Sequence, residues 1–300
     1  MLPVVRIPDG LAWWCRRPDG ADWLHRLSAL VEQCVSAWAL RLGEPFEPAS
    51  VAYVSRVTLA DGTPAVLKIN FPEAESENEA DALLHWNGRG AIRVLAHDRV
   101  RRALLMERCE PGVSLGRWPE AEALQIGACI LRQFRSPVPV SHPFRRLDEL
   151  ATGWARSLPD RWEQFGRPFE PWLLDYALDQ ARDLVGTASE AVVLHQDLHA
   201  GNILRSSREG WLAIDPKPLV GDPAFDTASL LRDRRPDMAQ EPNPVGRMRR
   251  RLDALADVLD LDRDRMRGWG VLHALAWGLE GVADEMLIAS ARWLAETRRD

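Results

Sequence analysis

Lysine is nearly missing from this chain of 300 residues. Of its 38 basic side chains only Lys68 and Lys217 are lysines, and the rest are arginines. An arginine-rich background accounts for the bias. It leaves the two survivors as candidates for places where a compact point charge is needed. Cysteine is also scarce. Cys15, Cys34, Cys109 and Cys129 form no C-x-x-C pair and have no metal-ligand spacing to a histidine. That excludes a disulfide scaffold and a structural zinc site, and predicts reduced, mostly buried thiols in a cytoplasmic protein. No long uncharged apolar run is present. The most apolar stretch, Gly268 to Ala291, carries Glu280, Asp284 and Glu285 and reads as a buried helix, so no membrane partner is expected. The start, Met1 to Arg6, has no basic segment followed by an apolar one, which argues against a signal peptide. Excess positive charge is absent too. A net charge of -6 argues against nucleic acid as the partner, because a phosphate backbone needs a basic face.

What is present suffices for two lobes with real cores, with 46% of residues hydrophobic. The first third is β-rich. Val51 to Leu59 and Ala65 to Ile69 flank the Asp61-Gly62 turn, and glycine tolerates the positive φ such a turn needs. Glu73 to Trp86 has helical spacing, and Ile92 to Ala96 and Ala103 to Glu107 read as strands. This order predicts an antiparallel sheet with one helix against it. Past a Pro-Gly joint near 108–112 the chain becomes helical, over Glu120 to Arg135, Trp172 to Leu184, Ser229 onward, Asp253 to Leu259 and Gly268 to Ala295. A β island interrupts it at Val192 to His195, Ile203-Leu204 and Trp211 to Ile214. Proline-rich segments at 136–143 and 236–244 read as loops. The predicted class is α+β, with a small antiparallel-sheet lobe over 1–108 and a larger, mainly helical lobe over 109–300.

One segment carries chemistry. His195, Asp197 and Asn202 form H-x-D-x-x-x-x-N. Phosphoryl transfer needs a carboxylate beside the attacking hydroxyl and oxygen ligands for the Mg²⁺ that bridges nucleotide phosphates. Asp197 fits the first need and Asn202 the second, while His195 suits bracing the loop. Asp215 follows the next strand, thirteen residues beyond Asn202, where a short hairpin would return it to the same edge. Lys68 sits among Val66, Leu67 and Ile69. It reads either as an edge-strand lysine whose tip reaches water or as a phosphate grip braced by a helix glutamate. Glu79 is the chosen partner, with Glu75 and Glu77 as alternatives.

These residues resemble the aminoglycoside phosphotransferase group of the protein-kinase-like superfamily. More narrowly, they are similar to the aminoglycoside and hydroxyurea resistance kinases of the streptomycin 6-phosphotransferase type. The resemblance rests on Val66-Leu67-Lys68-Ile69, Glu79 to Trp86, Leu105 to Arg108 with Pro111-Gly112, Val193 to Leu204, Trp211 to Pro218 and Gly221-Asp222-Pro223 with Asp226. It implies a bilobal kinase-like fold and an ATP- and Mg²⁺-dependent phosphotransferase. The acceptor it implies is a hydroxyl on a small molecule, foremost a cationic antibiotic such as streptomycin.

The resemblance also implies roles for particular residues. Asp197 would be the catalytic base, and Asn202 and Asp215 the metal ligands. Lys68 and Glu79 would hold the phosphates, and the backbone from Glu107 to Cys109 would meet the adenine. Asp222 and Asp226 would stabilise the loop and the helix start. Lys217 has two readings of equal weight: near the phosphates, or pointing to solvent from a rigid Pro-Lys-Pro loop. The pattern departs in one place. The hairpin Glu47 to Tyr53, where kinases carry glycines over the phosphates, has none, and Ala49, Ser50 and Ala52 would serve instead. Candidate contacts for a cationic acceptor are Asp148, Glu149, Asp160, Glu163, Glu280, Asp284 and Glu285. The aromatic stretch from Trp154 to Trp172 suits either a ring-binding pocket or ordinary core. Two other readings remain: a kinase for another small alcohol, such as a nucleoside or sugar antibiotic, a sugar or hydroxyurea, and an inactive kinase-like binding protein. A monomer or homodimer is expected.

Overall fold

The computed structural model describes residues 5–49 and 51–298. The chain folds as two compact units that divide after Gly112. In the first, five antiparallel strands run β1 (Arg41–Pro45), β2 (Ala52–Thr58), β3 (Pro64–Asn70), β4 (Val94–Asp98) and β5 (Ala103–Glu107). Their order in the sheet is β1-β2-β3-β5-β4, so β3 is central. Alternation along β3 separates two environments. Ala65, Leu67 and Ile69 enter a core with Trp14, Trp23, Leu27 and Val31. Lys68 and Asn70 alternate with them and are buried as well.

Two N-terminal elements complete that core, a 3-10 helix (Asp9–Arg16) and α1 (Pro18–Ala37). Reading the first third as β-rich missed both. Their signals were present: Pro18 occupies the first helical turn, and Trp23, Leu27, Val31 and Cys34 recur on one buried stripe. Trp14 stacks on Phe71 with ring centroids 3.8 Å apart, and Trp23 meets the same ring edge-on at 5.7 Å. Helix α2 covers only Glu79–Trp86, shorter than the predicted span from Glu73, because the preceding residues fold as turns.

The second unit is mainly helical: α3 (Glu120–Phe134), α4 (Leu147–Gln164), α5 (Pro171–Leu184), α6 (Thr227–Leu231), α7 (Arg235–Ala239), α8 (Pro244–Leu259), α9 (Arg263–Gly278) and α10 (Glu285–Glu296). Helix α7 occupies part of the stretch expected to be loop. The single helix expected from Gly268 to Ala295 is two. Gly281, at φ 76°, breaks it, and the Asp284 carboxylate restarts it by accepting the N–H groups of Met286 and Leu287. Helix α9 is buried on nearly all sides and packs against α5, α6 and α10. Close approach demands its glycines: a Cβ on Gly270 would lie 2.4 Å from Leu294 Cδ2.

Short strands carry the site. β6 (Arg145–Arg146), β7 (Val192–Leu194) and β10 (Leu219–Gly221) form one sheet with β10 central, and β8 (Ile203–Ser206) pairs with β9 (Gly210–Ala213) in a hairpin. Among the described residues no helix is long and apolar enough to cross a membrane. The four cysteines are free thiols, but only Cys34 is buried, and Cys15 is exposed. The expectation of mostly buried thiols fails: Cys15 lies on the exposed side of the N-terminal 3-10 helix, and Cys109 and Cys129 are half-buried.

Candidate active site

In the first unit Lys68 is buried on the central strand and is no edge lysine. Its Nζ donates to both Glu79 oxygens, at 2.7 and 2.8 Å. Glu79, the first residue of α2 and the preferred partner from the sequence, therefore pairs with it. Asn70, two residues along β3 on the same face, donates from Nδ2 to Glu79 Oε2 at 2.7 Å. Its place was readable from the i, i+2 spacing to Lys68, but nothing in the sequence marked it as polar core. A buried ion pair is tolerated only when geometry is good and extra hydrogen bonds satisfy the charges, as here.

The β1–β2 hairpin replaces glycine with support from outside. Gly10 lies so close to the Ala49 carbonyl that a Cβ there would sit 2.2 Å from its oxygen. Trp14 Nε1 donates to the Val51 carbonyl at 3.2 Å. Ser50 lies outside the described residues. Glu107, at the end of β5, accepts the Arg93 N–H on Oε1 at 2.8 Å, and its own N–H donates to the Arg93 carbonyl at 3.0 Å. Cys109 follows, partly exposed, and its carbonyl is approached closely by Gly112.

In the second unit the loop after β7 is held from beneath. Asp226 is buried and accepts the N–H groups of His195 and Gln196, one on each oxygen, both at 2.7 Å. Burial still pushes its carboxyl up to about 7. Gln196 takes a left-handed φ of 67°, and its carbonyl accepts the Ser229 hydroxyl at 2.9 Å. His195 is fully buried, with Nε2 3.0 Å from the Ile214 carbonyl, and burial lowers its pKa to about 4. The imidazole is thus a neutral brace between this loop and the segment after β9, as its position in the motif suggested. Asp222 belongs to the framework too: it caps the turn at Ala224 and accepts Trp269 Nε1 at 2.8 Å.

Asn202 and Asp215 are brought together through the backbone. Asn202 Nδ2 donates to the Asp197 carbonyl at 3.0 Å, which commits the amide nitrogen and leaves Oδ1 as the atom that could hold a cation. Ile214 N–H donates to the Asn202 carbonyl at 2.9 Å, tying the residue before Asp215 to Asn202. Asp215 lies two residues beyond β9, exposed, at φ 61°. It is therefore presented by a strained turn and not by the strand itself. His199 caps the 3-10 turn Ala200–Asn202 through Nδ1.

Around Asp197 stand Arg232 and Trp277, which the sequence did not mark, and Lys217, which it did. Arg232, at the end of α6, donates to Asp197 Oδ1 at 3.3 Å and to Ser229 Oγ at 3.0 Å. Burial lowers its pKa to about 10. Lys217 Nζ lies 3.6 Å from Asp197 Oδ2, so its side chain turns toward this loop and does not simply point to solvent. Both cations rest on the Trp277 ring, Lys217 Nζ at 4.7 Å and Arg232 Cζ at 4.6 Å from its centroid. Sequence separation hid this cluster, since Asp197, Lys217, Arg232 and Trp277 come from four elements. Several acidic candidates for the acceptor are instead engaged locally: Asp148 accepts the Gly186 N–H, Glu163 pairs with Arg167, and Asp284 caps α10. Trp154 and Trp162 are core.

The fold is of the kinase-like kind. At the level of fold the chain is similar to a choline kinase from Streptococcus pneumoniae (13% identity, TM-score 0.63, covering 90% of this chain and 99% of that one). It is also similar to an aminoglycoside phosphotransferase solved as a ternary complex with AMP-PNP and hygromycin B (14% identity, TM-score 0.61, 91% and 98%). The fold is α+β and protein-kinase-like. In sequence the chain is 34% identical to streptomycin 6-kinase of Streptomyces glaucescens over 92% of both chains. It is 36% identical to hydroxyurea phosphotransferase of Kitasatospora aureofaciens, over 92% of this chain and 81% of that one. The pattern of the aminoglycoside/hydroxyurea antibiotic resistance kinases matches residues 38–283, and the chain belongs to that family.

Proposed function

We propose that the enzyme moves the γ-phosphoryl group of ATP, with Mg²⁺, onto a hydroxyl of an aminoglycoside, streptomycin being the first candidate. The observation that carries this is the Asp197 loop, where a positioned carboxylate and an oriented amide stand together. The similarity to streptomycin 6-kinase over nearly the whole chain supports the acceptor.

Each residue then has a role. Asp197 orients the acceptor hydroxyl and takes its proton. The new O–P bond forms as the bond from γ-phosphorus to the ADP oxygen breaks, and the proton then passes from Asp197 to water. Mg²⁺, when bound, neutralises charge on the β- and γ-phosphate oxygens, and Asn202 Oδ1 and the Asp215 carboxylate are the side chains that would hold it. Among the described residues no three His, Cys, Asp or Glu side chains are arranged to hold a metal, which suits a site completed by nucleotide oxygens. Lys68, fixed by Glu79, grips the α- and β-phosphates. Ser50 and Cys109 contribute backbone to phosphates and adenine, and Glu107 ends the strand that leads there. The unit up to the joint near residue 108 holds nucleotide and the rest carries the catalysis. A cytoplasmic monomer or homodimer fits this reading.

A second reading has its own support, the similarity to hydroxyurea phosphotransferase. The test is the purified enzyme with Mg-ATP against streptomycin, other aminoglycosides and hydroxyurea. Phosphorylated streptomycin equal to the ADP released is expected, with turnover abolished by chelating Mg²⁺. Asp197→Asn should lower kcat by about 10²–10⁴-fold with the fold intact. Undiminished turnover in that variant removes Asp197 from the mechanism. Phosphorylation of hydroxyurea alone favours the second reading.

A further inference from the structure

The geometry points to Lys217 as a further catalytic residue that contacts the phosphoryl group in transit, set in place by Trp277 while Arg232 fixes Asp197. This inference rests on the phosphotransferase reading above. Two cations address one carboxylate here, and they are not equivalent. Arg232 is buried and hydrogen-bonded to Asp197 Oδ1 and to Ser229. Lys217 is more exposed, and its Nζ stands 3.6 Å from Oδ2, beyond hydrogen-bond reach. Arg232 therefore answers for the position of Asp197, and the ammonium adds charge that Asp197 does not bind tightly.

The Trp277 ring keeps that ammonium in place. It lies 4.7 Å from the centroid, a cation–π distance, and His273 packs against the same ring at 4.4 Å. Pro216 and Pro218 stiffen the backbone on either side. The acceptor oxygen that Asp197 orients and the phosphorus it attacks must meet beside this carboxylate. An ammonium so placed reaches a non-bridging phosphoryl oxygen with little movement. It donates a hydrogen bond there and exchanges no proton, so the bonds formed and broken are unchanged. Composition agrees: in a chain with 38 basic residues, arginine stands everywhere except at Lys68 and Lys217. A flexible point charge with three donors serves a moving phosphoryl group better than a planar fork.

Steady-state kinetics with Mg-ATP and streptomycin test this in Lys217→Ala, Lys217→Met, Lys217→Arg, Trp277→Leu and Asp197→Asn, with thermal melts as a check on folding. Lys217→Ala should lose about 100-fold in kcat, as when one transition-state donor is removed. Its KM values should stay within about threefold, since the contact is made only in transit. Added primary alkylammonium should restore part of the loss. Lys217→Arg should retain more activity than Lys217→Ala, and Trp277→Leu should lose about tenfold in kcat through a misplaced ammonium. Should the alanine variant melt early, Lys217→Met carries the same comparison. If Lys217→Ala and Lys217→Met turn over like the parent while Asp197→Asn is inactive, Lys217 is not catalytic and the phosphotransferase reading stands. If Asp197→Asn is fully active, that reading falls and this inference falls with it.

Discussion

Single side chains at this site are held by neighbours that do no chemistry. Asn70 shows how far one amide matters. Its Nδ2 donates to a Glu79 oxygen that also receives Lys68 Nζ, and all three residues are buried. Removing one partner from a buried polar network leaves the remainder undersatisfied, at a cost of about 1–3 kcal/mol. Asn70→Ala should therefore lower stability by that amount in urea titration and raise KM for Mg-ATP, because Glu79 can then turn and take Lys68 with it. Glu79→Ala should be worse, about 3–5 kcal/mol, since it removes the carboxylate that receives Lys68 and Asn70 in a buried site. If Asn70→Ala matches the parent in both measurements, the amide is a bystander. Lys68 itself was legible from its oddness, a lysine among residues that seek burial. Asn70 was not, because asparagine at a strand end reads equally well as the start of a turn.

Among the elements, the N-terminal 3-10 helix has the least expected role. It braces the glycine-free turn of the β1–β2 hairpin, through the Gly10 approach to Ala49 and the Trp14 bond to Val51. Gly10→Ala places a methyl 2.2 Å from a carbonyl oxygen, so the hairpin tip or the helix must shift. The expected outcome is a higher KM for Mg-ATP, with the core helices unfolding at nearly the parent temperature. Unchanged nucleotide affinity would show that the hairpin needs no such brace. Sequence periodicity located β2, β3, β5, α3 and α5, each with a clean apolar stripe or alternation. It missed α1, whose stripe was as clear, because the strand signals downstream set the expectation for the whole region. It ran α9 and α10 together because apolar residues continue past Gly278, and only Gly281 and the Asp284 cap mark the break. The motif from His195 to Asn202 was legible because its residues are close in sequence. The Trp277 platform was not, because tertiary packing alone brings α9 to that loop.

For the whole molecule, the interior stores groups whose charge states oppose burial, and these set how stability follows pH. His195 is lowered to about 4 by burial. His273 lies at full burial, with no hydrogen-bond partner on either ring nitrogen among the described residues, packed with Trp154, Phe225 and Trp277. Burial, reinforced by the charges of Arg232 and Lys217, lowers its pKa well below the usual imidazole range. Both rings are neutral in the fold, whereas in the unfolded chain they take up protons below about pH 6.5. The unfolded state then binds more protons, so stability is lost as pH falls through that value. Asp226 runs the other way. Raised to about 7, it holds a proton in the fold that the unfolded chain releases above about pH 4, so its contribution is lost as pH rises through that window. With two imidazoles against one carboxyl, these buried groups favour unfolding in acid, with a net slope of about 1.4 kcal/mol per pH unit between pH 6.5 and pH 4. His273→Leu isolates one of them, since the other titrations cancel in the difference from the parent. The leucine removes two unsatisfied nitrogens without emptying the aromatic cluster. Its stability relative to the parent should rise by about 1.4 kcal/mol for each pH unit below 6.5. Denaturant titrations at pH 7.5, 6.0 and 5.0 measure that difference directly. A difference that stays constant across the three would mean that His273 carries its proton in the folded state, and that the charge is met within a cluster built of aromatic rings.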